Sequence, residues 1–391
     1  MASRRFGANF PQLFSAALLQ ELSFALLIHL PGYLSQLGAT EGVIGVLYAS
    51  SAVLSLVFRP LLGRILDLTR RRTVLLVSAV VNMGVIIGLS TTSDWGPYLW
   101  ILFLLQRTIQ IALFTTMLTY AADAIPLARR TQGLAIFGLS GLLPIAVGGY
   151  AGDVLIAETG FNGLFYGATI ASLVSWLIVW SLPVLPVRGH QPRRSFWAAF
   201  AQRNLLPLWF ATLLFSVGLE SLFTFTRTFV DARQVGTAGL FFAVYGITAA
   251  ITRIAGGQMY DRIPHRPLLV GAIAAYGLGL VFMGAAQTAL VLALAAAITG
   301  TAHGAAFPLL SSEVVNRARV SERGSAMATF TSIFDLALLA GAPAVGFVIE
   351  GFDYLAAFAG TGVVLFAGAV VYRFWDRRID TSMVVAEEIV D

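Results

Sequence analysis

Six ionisable side chains stand inside long apolar runs: Glu21, Arg107, Glu220, Arg227, His303 and Asp335. An ionised group at the centre of a bilayer costs at least about 2.5–3.5 kcal/mol, so each such residue is a functional candidate. The chemistry they could do is proton and solute handling. A carboxylate that is desolvated in one environment and set beside a cation in another takes up and releases a proton. Glu21 with Arg107 as its partner fits that task first. Asp335 and the imidazole of His303 follow. Glu220 and Arg227 are seven residues apart and share nearly one helical face, so they can pair or meet a solute separately. Gln110, Phe24 and Phe223 lie near these charges and complete the candidate cavity lining. His29 falls toward the outer interface. No nucleophile with a base, phosphate loop or metal-ligand cluster accompanies them, so an enzyme is not expected, nor a cofactor.

These residues need membrane-spanning helices to hold them. Of 391 residues, 58% are hydrophobic and 12% charged, and the mean hydropathy is +0.81. A soluble core cannot absorb that composition. The apolar residues come in blocks of about 20, the length of a helix crossing roughly 30 Å of hydrocarbon. Twelve spans are predicted, in two sets of six. The first set covers residues 12–36, 42–62, 73–91, 97–121, 132–156 and 162–182. The second covers 205–229, 236–258, 267–286, 289–312, 325–349 and 353–375. The spans are too long, and alternate too little, for a transmembrane barrel. Residues 1–182 and 205–378 thus read as two six-helix bundles. A proline-rich basic linker, 183–204, joins them, and 379–391 forms a tail.

Charge sets the orientation. Cysteine is absent and all 25 basic residues are arginine, which excludes disulfides and thiolate metal sites. The arginines crowd the loops between spans 2 and 3, 4 and 5, 8 and 9, and 10 and 11, together with the linker and both ends. Only Arg233 falls in a loop on the opposite side. The positive-inside rule therefore puts both termini in the cytoplasm. Arg4 and Arg5 precede a run of full spanning length without a small-residue cleavage site, so no cleavable leader is expected. The net charge of +5 is assigned to lipid headgroups rather than nucleic acid.

The two sets of six are related. "RPLLGRILDLTRR" at 59–71 aligns with "RIAGGQMYDRIPHR" at 253–266, so that Gly63, Asp67 and Arg71 meet Gly257, Asp261 and, one residue late, Arg266. Glu21 likewise meets Glu220. A duplicated six-helix unit is the economical reading. This arrangement resembles the major facilitator superfamily over essentially the whole chain. Gly63, Asp67, Arg70, Arg71 and Arg72 match the family's loop 2–3 signature. Arg107 and Gln110 match its span 4 signature, with Ile111 in place of glycine. "GLSGLLPIAVGG", with Gly141, Pro144, Gly148 and Gly149, is similar to a loosened glycine–proline signature of proton-driven exporters, Leu143 standing where that signature has glycine.

The resemblance implies a central cavity lined by spans 1, 4, 7 and 10, which carry five of the six membrane charges. It also implies cytoplasmic latches that form and break with alternating access. Gly63, Asp67, Arg71 and Asp123 would build one, and Gly257, Asp261, Arg262 and Glu313 the other. The expectation is a monomeric, multi-pass transporter of a bacterial inner membrane, exporting a small organic solute in exchange for protons. A proton-coupled importer of an organic acid or zwitterion is the alternative, and a non-transporting sensor a third.

Overall fold

In a computed structural model the chain is described over residues 9–126, 133, 136–185, 200–260, 263–319 and 322–379. Every regular element there is a helix. In hydrocarbon the backbone has no solvent partners, and a helix satisfies its amides within the segment. Eleven helices are long and apolar enough to cross a membrane. They run α1 Phe10–Gln36, α2 Glu41–Leu68, α3 Arg71–Ser90 and α4 Pro97–Ala124. A single run, Leu139–Ser181, holds two spans, α5 at 139–159 and α6 at 161–181. Then come α7 Leu206–Arg233, α8 Ala238–Tyr260, α9 His265–Gly284, α10 Ala289–Arg317, α11 Arg323–Gly351 and α12 Tyr354–Arg377. The fold is therefore all-α with twelve spans.

Two departures from the sequence expectation have clear causes. Spans 5 and 6 were expected to be separated by a loop. One residue divides them instead: Gly160 adopts φ 68°, ψ −169°, a conformation open essentially to glycine alone. Helix α1 is interrupted by a 3₁₀ turn at Leu27–His29. Pro31 has no amide to bond back into the preceding turn, so the helix tightens there and restarts at Leu30.

The chain resolves into two compact units. Unit 1 draws on Met1–Ala39, Val53–His190 and Thr237–Ile247, and unit 2 on Thr40–Ala52, Gln191–Gly236 and Thr248–Asp391. The outer turns of α2 thus belong with unit 2, and those of α8 with unit 1. A buried apolar cluster of unit 1 joins Leu13, Ala17 and Phe24 of α1 to Leu75, Leu113, Met117 and Val179. Helix ends are fixed individually. Thr288 and Asp353 accept the amides of Val291 and Ala356 at the starts of α10 and α12. Arg72 donates to the carbonyls of Val179 and Trp180 at the end of α6.

Candidate functional site

In unit 1 a polar seam fixes the rotation of α1. Ser172 Oγ donates to Gln20 Oε1 at 3.1 Å and accepts from Asn82 Nδ2 at 3.3 Å. Ser175 Oγ donates to the Ala16 carbonyl at 2.7 Å. Gln20, Asn82, Ser172 and Ser175 are all buried. Glu21, the next residue, is turned about 100° away from that seam and is half-buried. Glu21 takes part in no hydrogen bond or ion pair with the described residues. Arg107 donates to Gln110 Oε1 at 3.0 Å, one turn along α4. The expected Glu21–Arg107 pair is therefore not formed, and the glutamine of the span 4 signature takes the guanidinium on its own helix. Phe24 is buried in the apolar cluster of unit 1, which leaves it a packing role.

The glycines of α5 act at backbone contacts. A methyl group on Gly148 would meet the backbone of Ala25 at 2.8 Å, and one on Gly149 the Cβ of Phe242 at 2.6 Å. A methyl group on Gly246 of α8 would meet the Ala146 amide nitrogen at 2.8 Å. Gly141 has open space around it, and Pro144 is buried inside the helix. These contacts let α5 approach α1 on one side and the outer turns of α8 on the other. His29 is not interfacial. It is fully buried, in the 3₁₀ turn, with Nε2 2.9 Å from the Gly149 carbonyl oxygen.

In unit 2 Glu220 and Phe223 are half-buried on α7. Arg227 donates from Nε to Asp231 Oδ2 at 2.8 Å, an i,i+4 pair near the outer end. His303 is buried among aromatic rings, 5.5 Å from Phe215 and 6.2 Å from Phe307 between centroids. Phe307, Phe330 and Phe334 pack edge-on or tilted against one another, and the Arg253 guanidinium lies 5.5 Å from the Phe307 centroid. Asp335 is buried beside Phe334. Sequence reasoning missed this aromatic set. The i,i+4 spacings of His303 with Phe307 and of Phe330 with Phe334 were the available signal.

At the inner ends Arg71 Nε lies 2.6 Å from Asp123 Oδ2, with 9% and 15% of the two side chains exposed. Gly63 is buried in α2. Gly257 falls in α8. The Asp67 side chain and residues Asp261 and Arg262 lie outside the described residues. Glu313 meets His265 at 2.6 Å and Arg317 at 2.7 Å. The unforeseen member is Asp376, which is fully buried, 2.5 Å from Arg317 and paired also with Arg266. Arg71 and Arg266 occupy equivalent places in the repeat, yet one meets a carboxylate of α4 and the other a carboxylate of α12. The predicted end of span 12 at residue 375 had left Asp376 among the flanking arginines, with no sign of its burial.

The sequence profile of the Major Facilitator Superfamily matches residues 13–236 and again 232–388. An uncharacterised MFS-type transporter of Salmonella typhimurium is 23% identical over 365 residues, 90% of this chain and 92% of that protein. Multidrug resistance protein MdtG of Salmonella heidelberg is 25% identical over 370 residues, covering 89% of this chain and 90% of its own. Among solved structures, nucleoside transporter NupG superposes with a TM-score of 0.78 at 16% identity, covering 95% of this chain and 100% of its own. The human organic anion transporter MFSD10 gives 0.68 at 20% identity, covering 94% and 98%. With twelve apolar helices, a duplicated half and a profile match across nearly its whole length, the chain belongs to the Major Facilitator Superfamily of membrane transporters.

Proposed function

We propose that this protein exports a small amphipathic organic solute in exchange for protons, by alternating access of its two six-helix halves. The observation that carries the reading is Glu21. It is a half-buried carboxylate in mid-span that makes no hydrogen bond or ion pair with the described residues. Holding a lone carboxylate at that depth is expensive, and the cost falls when the group is protonated. Binding and release of that proton supply the coupling step. The direction follows from the α5 glycines, similar to those of proton-driven exporters, and from the similarity to a protein named for multidrug resistance. Arg107 with Gln110, Glu220, Arg227, Phe223 and the His303 aromatic set are the solute-contact candidates, with Asp335 as a second proton carrier. Gly63, Asp67, Arg71 and Asp123 form the inner latch of one half, and Gly257, Asp261, Arg262 and Glu313 that of the other. The protein works as a monomer in an inner membrane with both termini in the cytoplasm.

The test is pH-driven flux in proteoliposomes with ethidium as the probe. Glu21→Gln abolishes gradient-driven transport while the protein still folds and binds ethidium. Undiminished gradient-driven flux in Glu21→Gln removes this residue from the coupling step. The alternative, import of an organic acid or zwitterion, draws on Arg107 and on the similarity to an organic anion transporter. Reversing the imposed gradient separates the two, because only a symporter concentrates solute on the alkaline side.

A further inference from the structure

The repeat builds two similar outer helix crossings, one inside each unit. In unit 2, α2 and α11 bring backbone against backbone at two glycines. A methyl group on Gly45 would strike the Ala342 carbonyl oxygen at 2.5 Å, and one on Gly346 the carbon of Glu41 at 2.9 Å. In unit 1, α8 approaches α5 in a similar way: a methyl group on Gly239 would meet the Gly149 carbonyl oxygen at 2.7 Å. Four residues beyond these carbonyls the two crossings differ. Unit 2 has Gly346, and unit 1 has Asp153. Asp153 Oδ2 accepts the Gly239 amide at 2.6 Å. Thr237 accepts the next amide, that of Leu240, at 3.0 Å. A carboxylate of α5 thus caps the positive first turn of α8, a favourable place for a negative charge.

The other carboxylate oxygen, Asp153 Oδ1, lies 3.6 Å from His29 Nδ1. His29 is fully buried, and its Nε2 points at the Gly149 carbonyl 2.9 Å away. A carbonyl only accepts, so Nε2 carries a proton. If Nδ1 were bare and Asp153 ionised, two electron-rich atoms would face each other in a buried site. One further proton resolves that contact, either on the imidazole or on the carboxyl. The repeat partner of His29, matched as Glu220 matches Glu21, is Thr228, whose hydroxyl bonds its own helix at Phe225. Nothing in the shared architecture requires the pair.

We infer that His29 and Asp153 form a proton-binding site, which takes one proton between imidazole and carboxylate and ties the first turn of α8 to α5. With the proton in place the imidazole and the carboxyl attract while Oδ2 holds Gly239. Without it they repel. His29 is wedged against Gly152, so the repulsion acts on the α5–α8 crossing. The four helices meeting there bring few other titratable groups to their outer turns. From α1 there is Tyr33, whose hydroxyl donates to the Thr92 carbonyl at 2.6 Å. From α5 there are Tyr150, exposed, and Glu158, exposed near the helix end; from α6 there is the exposed Tyr166. From α8 there is Tyr245, fully buried. The site is independent of Glu21, and its test involves no transport.

The experiment is magnetic resonance of the full-length purified protein labelled with ¹⁵N-histidine and ¹³C-carboxyl aspartate. Only four histidines are present, and His29→Gln assigns the signal of interest. The expected result is that Nε2 stays protonated from about pH 5 to pH 9. The pair holds one further proton, seen on Nδ1 or on the carboxyl, and the His29 Nδ1 signal changes in Asp153→Asn. Exchange of the amides of residues 238–241 with deuterium rises about tenfold in Asp153→Ala, as expected for a lost cap, and returns toward normal in Asp153→Glu. A His29 that carries its proton on Nδ1 instead of Nε2 overturns the inference, as does an Nδ1 signal unchanged in Asp153→Asn. Should that variant fail to fold, the wild-type spectra decide. Asp153 ionised and Nδ1 bare across the whole range would sink the site.

Discussion

Asp376 offers the most quantitative prediction. Its carboxylate is fully buried and receives Arg317 Nη1 at 2.5 Å, Arg317 Nη2 at 3.4 Å and the Nε of Arg266. Asp376→Ala removes these bonds and leaves Arg317, 11% exposed, short of one counter-charge. Breaking a buried ion pair from one side costs about 3–5 kcal/mol. Two features place this case at the lower end. Arg317 keeps Glu313 at 2.7 Å, and Arg266 is 34% exposed and can turn to water. The expected loss is about 3 kcal/mol, or roughly 150-fold in the folded-to-unfolded ratio. Unfolding in mixed micelles, followed by the fluorescence of the seven tryptophans, measures it. Asp376→Leu combined with Arg317→Met recovers part of the loss, because the stranded guanidinium is removed while Glu313 keeps His265. An Asp376→Ala protein within about 0.5 kcal/mol of wild type, the range of neutral surface changes, refutes the reasoning. So does a double variant no more stable than the single one.

Three further outcomes are expected. Gly160→Ala strains the junction of α5 and α6 at φ 68° and costs about 1–3 kcal/mol in the same unfolding assay. Gly246→Val forces α8 away from the Ala146 backbone; it lowers the melting temperature by an amount equivalent to about 1–3 kcal/mol, while valine at the open Gly141 position changes it little. For Arg71 and Asp123, a double-mutant cycle of Arg71→Gln with Asp123→Asn gives a coupling of about 1–3 kcal/mol, well above that of an exposed pair. A coupling near zero would show the contact to be incidental.

The apolar blocks made the twelve spans and the family readable, because span length and arginine placement are bulk properties of the chain. The Gly160 break was not readable. A glycine between two apolar runs looks the same whether it ends a helix or bends one. Asp123 as a partner for a loop arginine could be anticipated, since both ends of that pair are set by helix boundaries. The Glu21–Arg107 pair failed because it depends on helix rotation. Rotation is set by uncharged Gln20, Ser172 and Asn82, which carry no distinctive pattern. His29 and Asp376 escaped for a related reason. The burial of one follows from a proline-induced tightening of α1, and that of the other from where α12 ends.

The outer turns of α8 complete unit 1, although they are synthesised after the linker and all of α7. During biosynthesis the glycine face of α5 therefore lacks α8, with Asp153 on it, while nearly eighty residues more are translated. Only the arrival of residues 237–247 supplies the amide that Asp153 accepts. The first half of the gene thus encodes a product that cannot reach its finished packing alone, and the second half serves as its assembly partner.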